Sequence, residues 1–180
     1  MNMIYVILAE GFEETEAIEP VDIMKRAGLG VTLVSLQDNK YVEGAHGITV
    51  KADISLNELV KKDMELLMLP GGPGHTNLDS DVRVHELIDY ACENGLYIAA
   101  ICASPSILGK KGLLSGKKAT CFPGFEQYMT GAQLTGEKAV ADGKFITGRG
   151  AGAAGEFGLK IVEKLKGKEL SDKLRRDMQY

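Results

Sequence analysis

Residues 96–108 read Leu-Tyr-Ile-Ala-Ala-Ile-Cys-Ala-Ser-Pro-Ser-Ile-Leu, and this stretch decides the fold. An unbroken apolar run ends at Cys102, and residues typical of a helix start follow at once. This is the pattern of a buried strand that turns sharply into a helix. The small residues Ala100 and Ser104 flank the cysteine, as a tight nucleophile elbow requires. The pattern therefore predicts a cysteine raised above the edge of a sheet.

The predicted position of Cys102 has a chemical consequence. A helix N-terminus beside the thiol supplies unpaired N–H groups and a partial positive charge. A thiol in that place is expected to have a lowered pKa and to react as thiolate. The alternative is that Cys102 is a small core hydrophobe, as most intracellular cysteines are.

Alternating strands and helices are predicted along the rest of the chain. Strands are predicted at residues 3–9, 31–36, 66–69, 96–101 and 117–121, and hairpins at residues 40–51 and 140–147. Helices are predicted at residues 17–27, 82–94, 153–165 and 169–177, with Thr15 capping the first, and a short helix after Ser55. Buried strands that alternate with helices indicate an α/β sandwich around a mostly parallel sheet. The length of 180 residues favours a single domain over residues 1–180.

Composition excludes several partner classes. The formal net charge is −4 and no basic stripe is present, so we expect no nucleic acid. No apolar run reaches the length of a membrane span, so we expect no membrane partner. The three cysteines have no disulfide-framework spacing and the first residues lack a basic signal-peptide region. These features predict a protein of the reducing cytoplasm.

Three segments are expected to meet in one crevice. Ligand sites of parallel sheets lie at the carboxyl ends of the strands. Cys102, the Gly71-Gly72 pair and residues 11–16 each follow a predicted strand. One carboxyl of residues 11–16 would point at the thiol, where burial favours its protonated form. That carboxyl would donate a hydrogen bond to the thiolate and carry protons during catalysis.

The residues alone leave two choices open in this crevice. Among Glu13, Glu14 and Glu16, acidic side chains also suit the solvated first turn of a helix, and Glu14 fits that interpretation best. Gly71-Gly72 offers backbone N–H groups that would form an oxyanion hole with the N–H of Ala103. A simple Pro-Gly-Gly turn explains the same glycines without any such function.

Neither a cofactor nor a metal is expected. Residues 150–155 fit the dinucleotide fingerprint G-x-G-x-x-G, but two predicted helices follow and the further strand of a Rossmann site is missing. The histidines His46, His75 and His85 are isolated, and no Cys/His cluster has zinc-ligand spacing. His75, in the glycine-rich loop after residue 69, is the histidine expected nearest the crevice.

Four motifs together resemble a known family. They are Glu13-Glu-Thr-Glu16, Leu69-Pro-Gly-Gly72, Ala99-Ala-Ile-Cys-Ala103 and Gly148-Arg-Gly-Ala-Gly152. Their order and spacing are similar to those of the ThiJ/PfpI superfamily, in the branch of the parkinsonism-associated protein and the bacterial YajL-type proteins. The cysteine elbow with the upstream glutamates is the specific part of this resemblance, which covers nearly the whole chain.

The resemblance implies a flavodoxin-like three-layer sandwich that forms a homodimer. It implies that Cys102 is the reactive thiol, Glu16 its protonated partner, and Gly72 and Ala103 the backbone donors. It further implies a cofactor-free glyoxalase or deglycase acting on a small carbonyl substrate such as methylglyoxal, or on its adducts. The alternative is a non-enzymatic redox sensor or chaperone of oxidative stress with an oxidisable cysteine.

Several positions bear on these implications. Ala103 stands where the PfpI-type proteases carry histidine, which disfavours a peptidase. Phe122 stands where some relatives have a histidine base, and His46 where several have an arginine. Asp22 and Arg26 match charged positions of the family's dimer interface, although a solvated helix face explains them equally well.

Overall fold

The computed structural model describes residues 2–180 and contains eleven strands and six α-helices within that range. The strands are β1 (Met3–Leu8), β2 (Gly30–Ser35), β3 (Tyr41–Glu43), β4 (Thr49–Lys51), β5 (Ile54–Ser55), β6 (Met64–Leu69), β7 (Tyr97–Ile101), β8 (Lys118–Ala119), β9 (Gln133–Leu134), β10 (Ala139–Asp142) and β11 (Phe145–Gly148). The helices are α1 (Glu14–Arg26), α2 (His75–Ser80), α3 (Val82–Glu93), α4 (Pro105–Lys110), α5 (Ala154–Lys166) and α6 (Lys168–Asp177).

A seven-stranded sheet lies at the centre, in the order β10-β11-β7-β6-β1-β2-β5. Its strands pair in parallel, except that β10 is antiparallel to β11. This confirms the predicted α/β fold with a mostly parallel sheet. The predicted hairpins are also confirmed, since β3 pairs with β4 and β10 with β11 in antiparallel register.

Helices cover both faces of the sheet and make the sandwich three-layered. In β1, Ile4 and Val6 face one way and pack with α1, α5 and α6. Tyr5 and Ile7 face the other way and pack with α2, α3 and α4. Both faces of the strand are buried, which explains why the parallel strands read as continuous apolar runs rather than as an alternation. Within residues 2–180, no helix combines the length and apolar character of a membrane crossing.

The first helix begins earlier than predicted. α1 starts at Glu14, and a carboxylate oxygen of Glu13 accepts the N–H of Glu16 at 2.7 Å. Glu13 is therefore the cap, and the prediction of Thr15 in that role is wrong. Glutamate is not a preferred capping residue, which is why no local signal marks this start.

Short segments account for the other differences. Two single 3-10 turns, residues 56–58 and 61–63, replace the short helix predicted after Ser55. The helix α2 forms where a loop was expected. The strand predicted at residues 117–121 shortens to β8, which pairs with the unpredicted β9. Elements this short have too few residues to show a hydrophobic period, so the sequence pattern does not define them.

Candidate active site

Cys102 follows β7 directly and lies in a strained backbone conformation. Its φ is 66°, in the left-handed region that side chains other than glycine rarely adopt. Both of its backbone groups are fixed by neighbouring segments: its N–H donates to Gly148 O at 2.9 Å, and its carbonyl accepts from Phe122 N at 2.8 Å. Such strain costs about 1–3 kcal/mol and is concentrated at functional sites. The predicted elbow is therefore present, and its geometry points to chemistry at the thiol.

Small residues allow the elbow to pack closely. Ala100 is fully buried in β7, and Ser104 is fully buried on the far side of the turn. The Ser104 hydroxyl donates to Pro70 O at 2.5 Å and so joins the elbow to the loop after β6. The helix that follows, α4, has only six residues. The polar groups around the thiol are therefore individual N–H groups rather than the terminus of a long helix.

Glu16 lies in the first turn of α1 and is the carboxyl that faces the thiol. It is 1% exposed, and its Oε2 accepts the N–H of Gly71 at 3.0 Å. Its carboxyl is hydrogen-bonded to Cys102, and burial raises its pKa to about 7. The nearby negative charge of Glu13 contributes to this rise. At neutral pH a large share of the Glu16 carboxyl is therefore protonated, as expected of the inward-facing carboxyl.

The two glycines after β6 are required by close contacts. A Cβ on Gly71 would lie 2.5 Å from the Cβ of Cys102 and would also overlap the Glu16 carboxylate. Gly72 has a φ of 84°. The backbone N–H groups of Gly72 and Ala103 both donate hydrogen bonds to the Cys102 sulfur. The structure thus brings Cys102, Glu16, Gly72 and Ala103 together, and their roles in a reaction stay predictions.

The protonation state of Glu16 governs the Cys102 thiol. Burial and an ionised Glu16 raise the pKa of the thiol to about 12, although the N–H groups of Gly72 and Ala103 act to lower it. The lowered pKa expected from the elbow is therefore wrong, because burial and the charge of Glu16 outweigh the two N–H groups. A protonated Glu16 removes the repulsive charge and donates its own proton towards the sulfur. Thiol and carboxyl accordingly titrate as one coupled pair.

A cavity of about 290 Å³ opens beside the thiol. Its lining residues are Gly72, Pro73, His75, Cys102, Ala103, Phe122 and Phe125. The ring of His75 packs edge-on against Phe125, with centroids 5.2 Å apart, and its Nδ1 lies 2.9 Å from Gly72 O. His75 thus lies where it was expected, whereas Phe125 was missed because nothing in its loop signals a site. The cavity is small and mostly apolar, which suits a small carbonyl compound.

Glu14 and His46 form a contact that the sequence analysis missed. Glu14 is buried, and its Oε2 lies 2.7 Å from Nδ1 of His46, whose backbone N–H also donates to Glu14 at 2.7 Å. The expectation that Glu14 faces solvent and that His46 is isolated is therefore wrong. The contact pins the β3–β4 hairpin to the start of α1. It spans 32 positions, so no local pattern reveals it.

Side chains of the types that bind metals also come together at this place. Among residues 2–180, Glu13, Glu14 and His46 form a group whose ligand atoms all lie within 4.8 Å of one another. The carboxylates are already engaged, Glu13 by the N–H of Glu16 and Glu14 by His46. The fingerprint at residues 150–155 precedes α5, after which the chain enters α6 rather than a strand. The context of a Rossmann nucleotide site is therefore missing there.

Fold and site together define a class: an α/β protein whose cysteine, on a strained turn after a parallel strand, contacts a buried carboxyl. A profile of the DJ-1/PfpI family matches residues 2–164. The chain belongs to the DJ-1/PfpI family, as the resemblance predicted.

Curated relatives agree with this assignment. Protein dj-1beta of Drosophila melanogaster is 38% identical over 167 residues, 91% of this chain and 89% of that protein. The glutathione-independent glyoxalase DJR-1.2 of Caenorhabditis elegans is 34% identical over 92% of this chain and 89% of that protein. Protein DJ-1 homolog B of Arabidopsis thaliana is 37% identical over 92% of this chain, which spans only 39% of that relative's length.

Solved structures show the same fold. The crystal structure of Drosophila melanogaster DJ-1beta aligns with a TM-score of 0.91 and 36% identity, covering 99% of this chain and 97% of that one. The structure of oxidized Toxoplasma gondii DJ-1 aligns with a TM-score of 0.90 and 32% identity, covering 99% of this chain and 98% of that one.

Proposed function

We propose that this protein is a cofactor-free, glutathione-independent glyoxalase or deglycase that acts on methylglyoxal-type α-oxoaldehydes or their adducts. The observation that carries the proposal is the hydrogen bond between Cys102 and the buried Glu16 carboxyl. The nucleophile lines the small cavity, and the buried carboxyl bonded to it is a proton carrier with a pKa of about 7. A general acid–base group works best when its pKa lies near the working pH. The name of the Caenorhabditis elegans relative supports the same reaction class.

The proposed reaction starts from the thiolate with protonated Glu16. The sulfur attacks the aldehyde carbon, and the carbonyl electron pair moves to oxygen, which takes the proton of Glu16. The N–H groups of Gly72 and Ala103, which surround the sulfur, lie next to this new oxygen and stabilise its developing charge. The product of this step is a hemithioacetal bound to Cys102.

Glu16 then carries the second proton. As carboxylate it removes the hydrogen from the former aldehyde carbon, which gives an enediolate, and it returns a proton to the neighbouring carbon. The hydroxyl proton of the former aldehyde carbon passes to the oxygen of that neighbouring carbon, which gives a thioester of a 2-hydroxy acid. Water hydrolyses the thioester and releases the acid and the free thiol. Methylglyoxal and water thus yield lactate, with no external oxidant or reductant. The absence of an imidazole at Phe122 leaves Glu16 as the proton carrier in contact with the sulfur.

Lactate release without glutathione or added metal tests the enzyme. We expect the wild type to form lactate from methylglyoxal over many turnovers. The variant C102S should be inactive, and E16Q should lose at least about 100-fold in rate, the scale of a lost general acid–base group. The matched control is C92S, a cysteine outside the cavity. Consumption of one methylglyoxal per protein without lactate release would refute the enzyme.

The second candidate function is that of a redox sensor. The solved Toxoplasma gondii DJ-1 is in an oxidized form, which supports oxidation as a property of this kind of protein. In this chain the thiolate of Cys102 would attack peroxide to give sulfenate and water, and a second peroxide would give sulfinate. The N–H groups of Gly72 and Ala103 would donate to the new oxygens. This function requires only the elbow and a reducing cytoplasm, so it stands if turnover fails.

The proposal includes a homodimer built on α1. Asp22 and Arg26 form an ion pair of 2.7 Å whose side chains are about half exposed. Ile18, one turn earlier on the same helix, is 38% exposed, so an apolar side chain and an ion pair share one stripe. Light scattering coupled to size-exclusion chromatography should give twice the mass of one chain. The variant I18E places a charge on this stripe and should reduce the measured mass to that of a monomer.

A further inference from the structure

A second cavity, of about 420 Å³, shares Phe122 with the cavity at the thiol. Its lining residues are Phe122, Pro123, Lys138, Arg149 and residues 150–153. Phe122 lines both cavities and is 46% exposed. A Cβ on Gly150 would lie 3.2 Å from the Phe122 ring and 4.0 Å from Oε1 of Glu16. The second cavity therefore reaches close to the carboxyl of the reactive pair.

The two charged residues of this cavity are both cations. The N–H of Arg149 donates to Lys138 O at 2.9 Å, which continues the β10–β11 pairing by one step. Lys138 and Arg149 are therefore cross-strand neighbours, and like charges in that arrangement destabilise each other. The Arg149 guanidinium also donates one hydrogen bond to Gly136 O at 3.2 Å, and within residues 2–180 its other N–H groups donate no further hydrogen bond.

Within residues 2–180, neither cation has a carboxylate within salt-bridge distance. Glu156 is the carboxylate whose charge interacts with Lys138, but it is bound at both oxygens by Arg175, at 2.6 and 2.5 Å. No acidic residue lines the cavity. An oxyanion between Lys138 and Arg149 would convert their repulsion into two charge-assisted contacts.

We propose that this cavity is a subsite for a carboxylate or phosphate group of the substrate. This inference rests on the proposed function, which places the reacting carbonyl at Cys102. The substrates favoured are then α-oxoaldehydes or adducts that carry an oxyanion and extend past Phe122. Methylglyoxal itself occupies only the smaller cavity and leaves Lys138 and Arg149 unused.

Matched substrates test the proposal directly. Phenylglyoxal is the neutral probe, and its para-carboxy and para-phosphono derivatives are the anionic probes. For the wild type we expect kcat/KM to be higher for the anionic probes. K138M and R149Q should each lower the ratio of anionic to neutral kcat/KM by about fivefold, the scale of a partly exposed ion pair. The two anionic probes decide between carboxylate and phosphate.

The control is K144M, which removes one positive charge from the β10–β11 turn, outside the lining of the cavity. Because K144M and K138M change the net charge equally, K144M should leave the ratio at the wild-type value. An equal fall in both variants would mean long-range attraction rather than a subsite and would overturn the proposal. Equal kcat/KM for the neutral and anionic probes in the wild type would overturn it as well.

A thiol assay separates failure of the subsite from failure of the enzyme. The rates at which dianionic dithiobis(nitrobenzoate) and neutral dithiodipyridine modify Cys102 need no turnover, and C102A supplies the background from Cys92 and Cys121. K138M and R149Q should lower the ratio of these rates by about fivefold, and K144M should not. If these ratios change as expected but no lactate forms, the proposed enzyme activity is refuted and the anion subsite is supported. Unchanged ratios refute the subsite, whatever the turnover.

Discussion

The Cys102 thiol and the Glu16 carboxyl are hydrogen-bonded to each other where β7 and α1 meet at the carboxyl end of the sheet. Each controls the charge of the other, because the site shields both from water. The N–H groups of Gly72 and Ala103 point at the sulfur, whereas the N–H of Gly71 is the backbone donor to the carboxyl. With pKa values of about 7 for Glu16 and about 12 for Cys102, the carboxyl loses its proton before the thiol does. The thiolate with neutral Glu16, from which the proposed reaction starts, is therefore the minor form of the singly deprotonated pair.

A titration of thiolate absorbance tests where the proton of this pair lies. E16A removes the charge and the hydrogen bond of Glu16, both of which raise the Cys102 pKa, so this pKa should fall by about one unit, the scale of a lost hydrogen bond to a charged group. E16Q also removes the charge and keeps a neutral donor, so it should lower the pKa at least as far. A higher pKa in E16A would show instead that protonated Glu16 stabilises the thiolate.

Stability should depend on pH through Glu16. Burial raises the pKa of this carboxyl from 4.5 to about 7, so the folded state binds more protons than the unfolded state between these values. Stability must therefore fall as the pH rises through that window, by on the order of 3 kcal/mol in total. Denaturant unfolding at pH 4.5 and 7.5 should show a smaller fall for E16Q than for the wild type. The control is E86Q, which changes an exposed glutamate of α3 and should show the same fall in stability as the wild type.

The variant G71A should separate reactivity from stability. Its methyl group would contact the Cys102 Cβ and the Glu16 carboxylate and force the pair apart. Thiol alkylation and lactate formation should both fall by at least about 100-fold, since small displacements of reacting groups cost that much. G95A is the control: its φ of 63° strains any side chain, but nothing lies within 4 Å of the added carbon. G95A should lose stability without losing thiol reactivity.

The Glu14–His46 contact should be strongest at intermediate pH. The hydrogen bond and charge of Glu14 raise the pKa of His46, and hydrogen bonds to His46 lower the pKa of Glu14. The pair therefore weakens as acid protonates Glu14 and as alkali deprotonates His46. A proton NMR titration should place the His46 pKa above 6.5, and E14Q should lower it. An unchanged value in E14Q would mean that the hairpin is not held to α1 in solution.

Peroxide should distinguish the three cysteines. Cys121 is buried in the second core and Cys92 is half-buried on α3, whereas Cys102 lines an open cavity. Burial raises the pKa of all three thiols, but Cys102 has the backbone N–H groups of Gly72 and Ala103, which act to lower it. Peptide mass spectrometry after mild peroxide should find sulfinate at Cys102 first. Earlier oxidation of Cys92 would contradict the role assigned to the elbow.

The elbow was predictable because its signals are local. The apolar run before Cys102 and the small residues Ala100 and Ser104 lie within a few positions and describe one strand and one turn. The glycines after β6 and the acidic start of α1 follow strand ends, so the topology of a parallel sheet brings them together.

The rest of the site depends on how distant loops fold back. The Glu14–His46 contact requires the β3–β4 hairpin to lie over α1, and the second cavity requires Arg149 to face Lys138 across two strands. The Glu14–His46 contact leaves no pattern in neighbouring residues. The facing of Lys138 and Arg149 follows from the predicted hairpin at residues 140–147, but the cavity beside them does not. The coupled pKa values of Cys102 and Glu16 were missed for a related reason: the helix N-terminus suggested a lowered thiol pKa, whereas desolvation and the facing carboxyl act against it.

The backbone of Cys102 links three segments, because its N–H is bonded to Gly148 and its carbonyl to the N–H of Phe122. Any rotation of the peptide planes of Cys102 must break one of these hydrogen bonds or move Phe122, which lines both cavities. The amide hydrogens of Cys102 and Phe122 should therefore exchange with deuterium at similar rates, as members of one cooperative unit. A modification that displaces the sulfur should accelerate the exchange of both amide hydrogens together. The exchange rate of a loop twenty residues further along the chain would then report the chemical state of the sulfur.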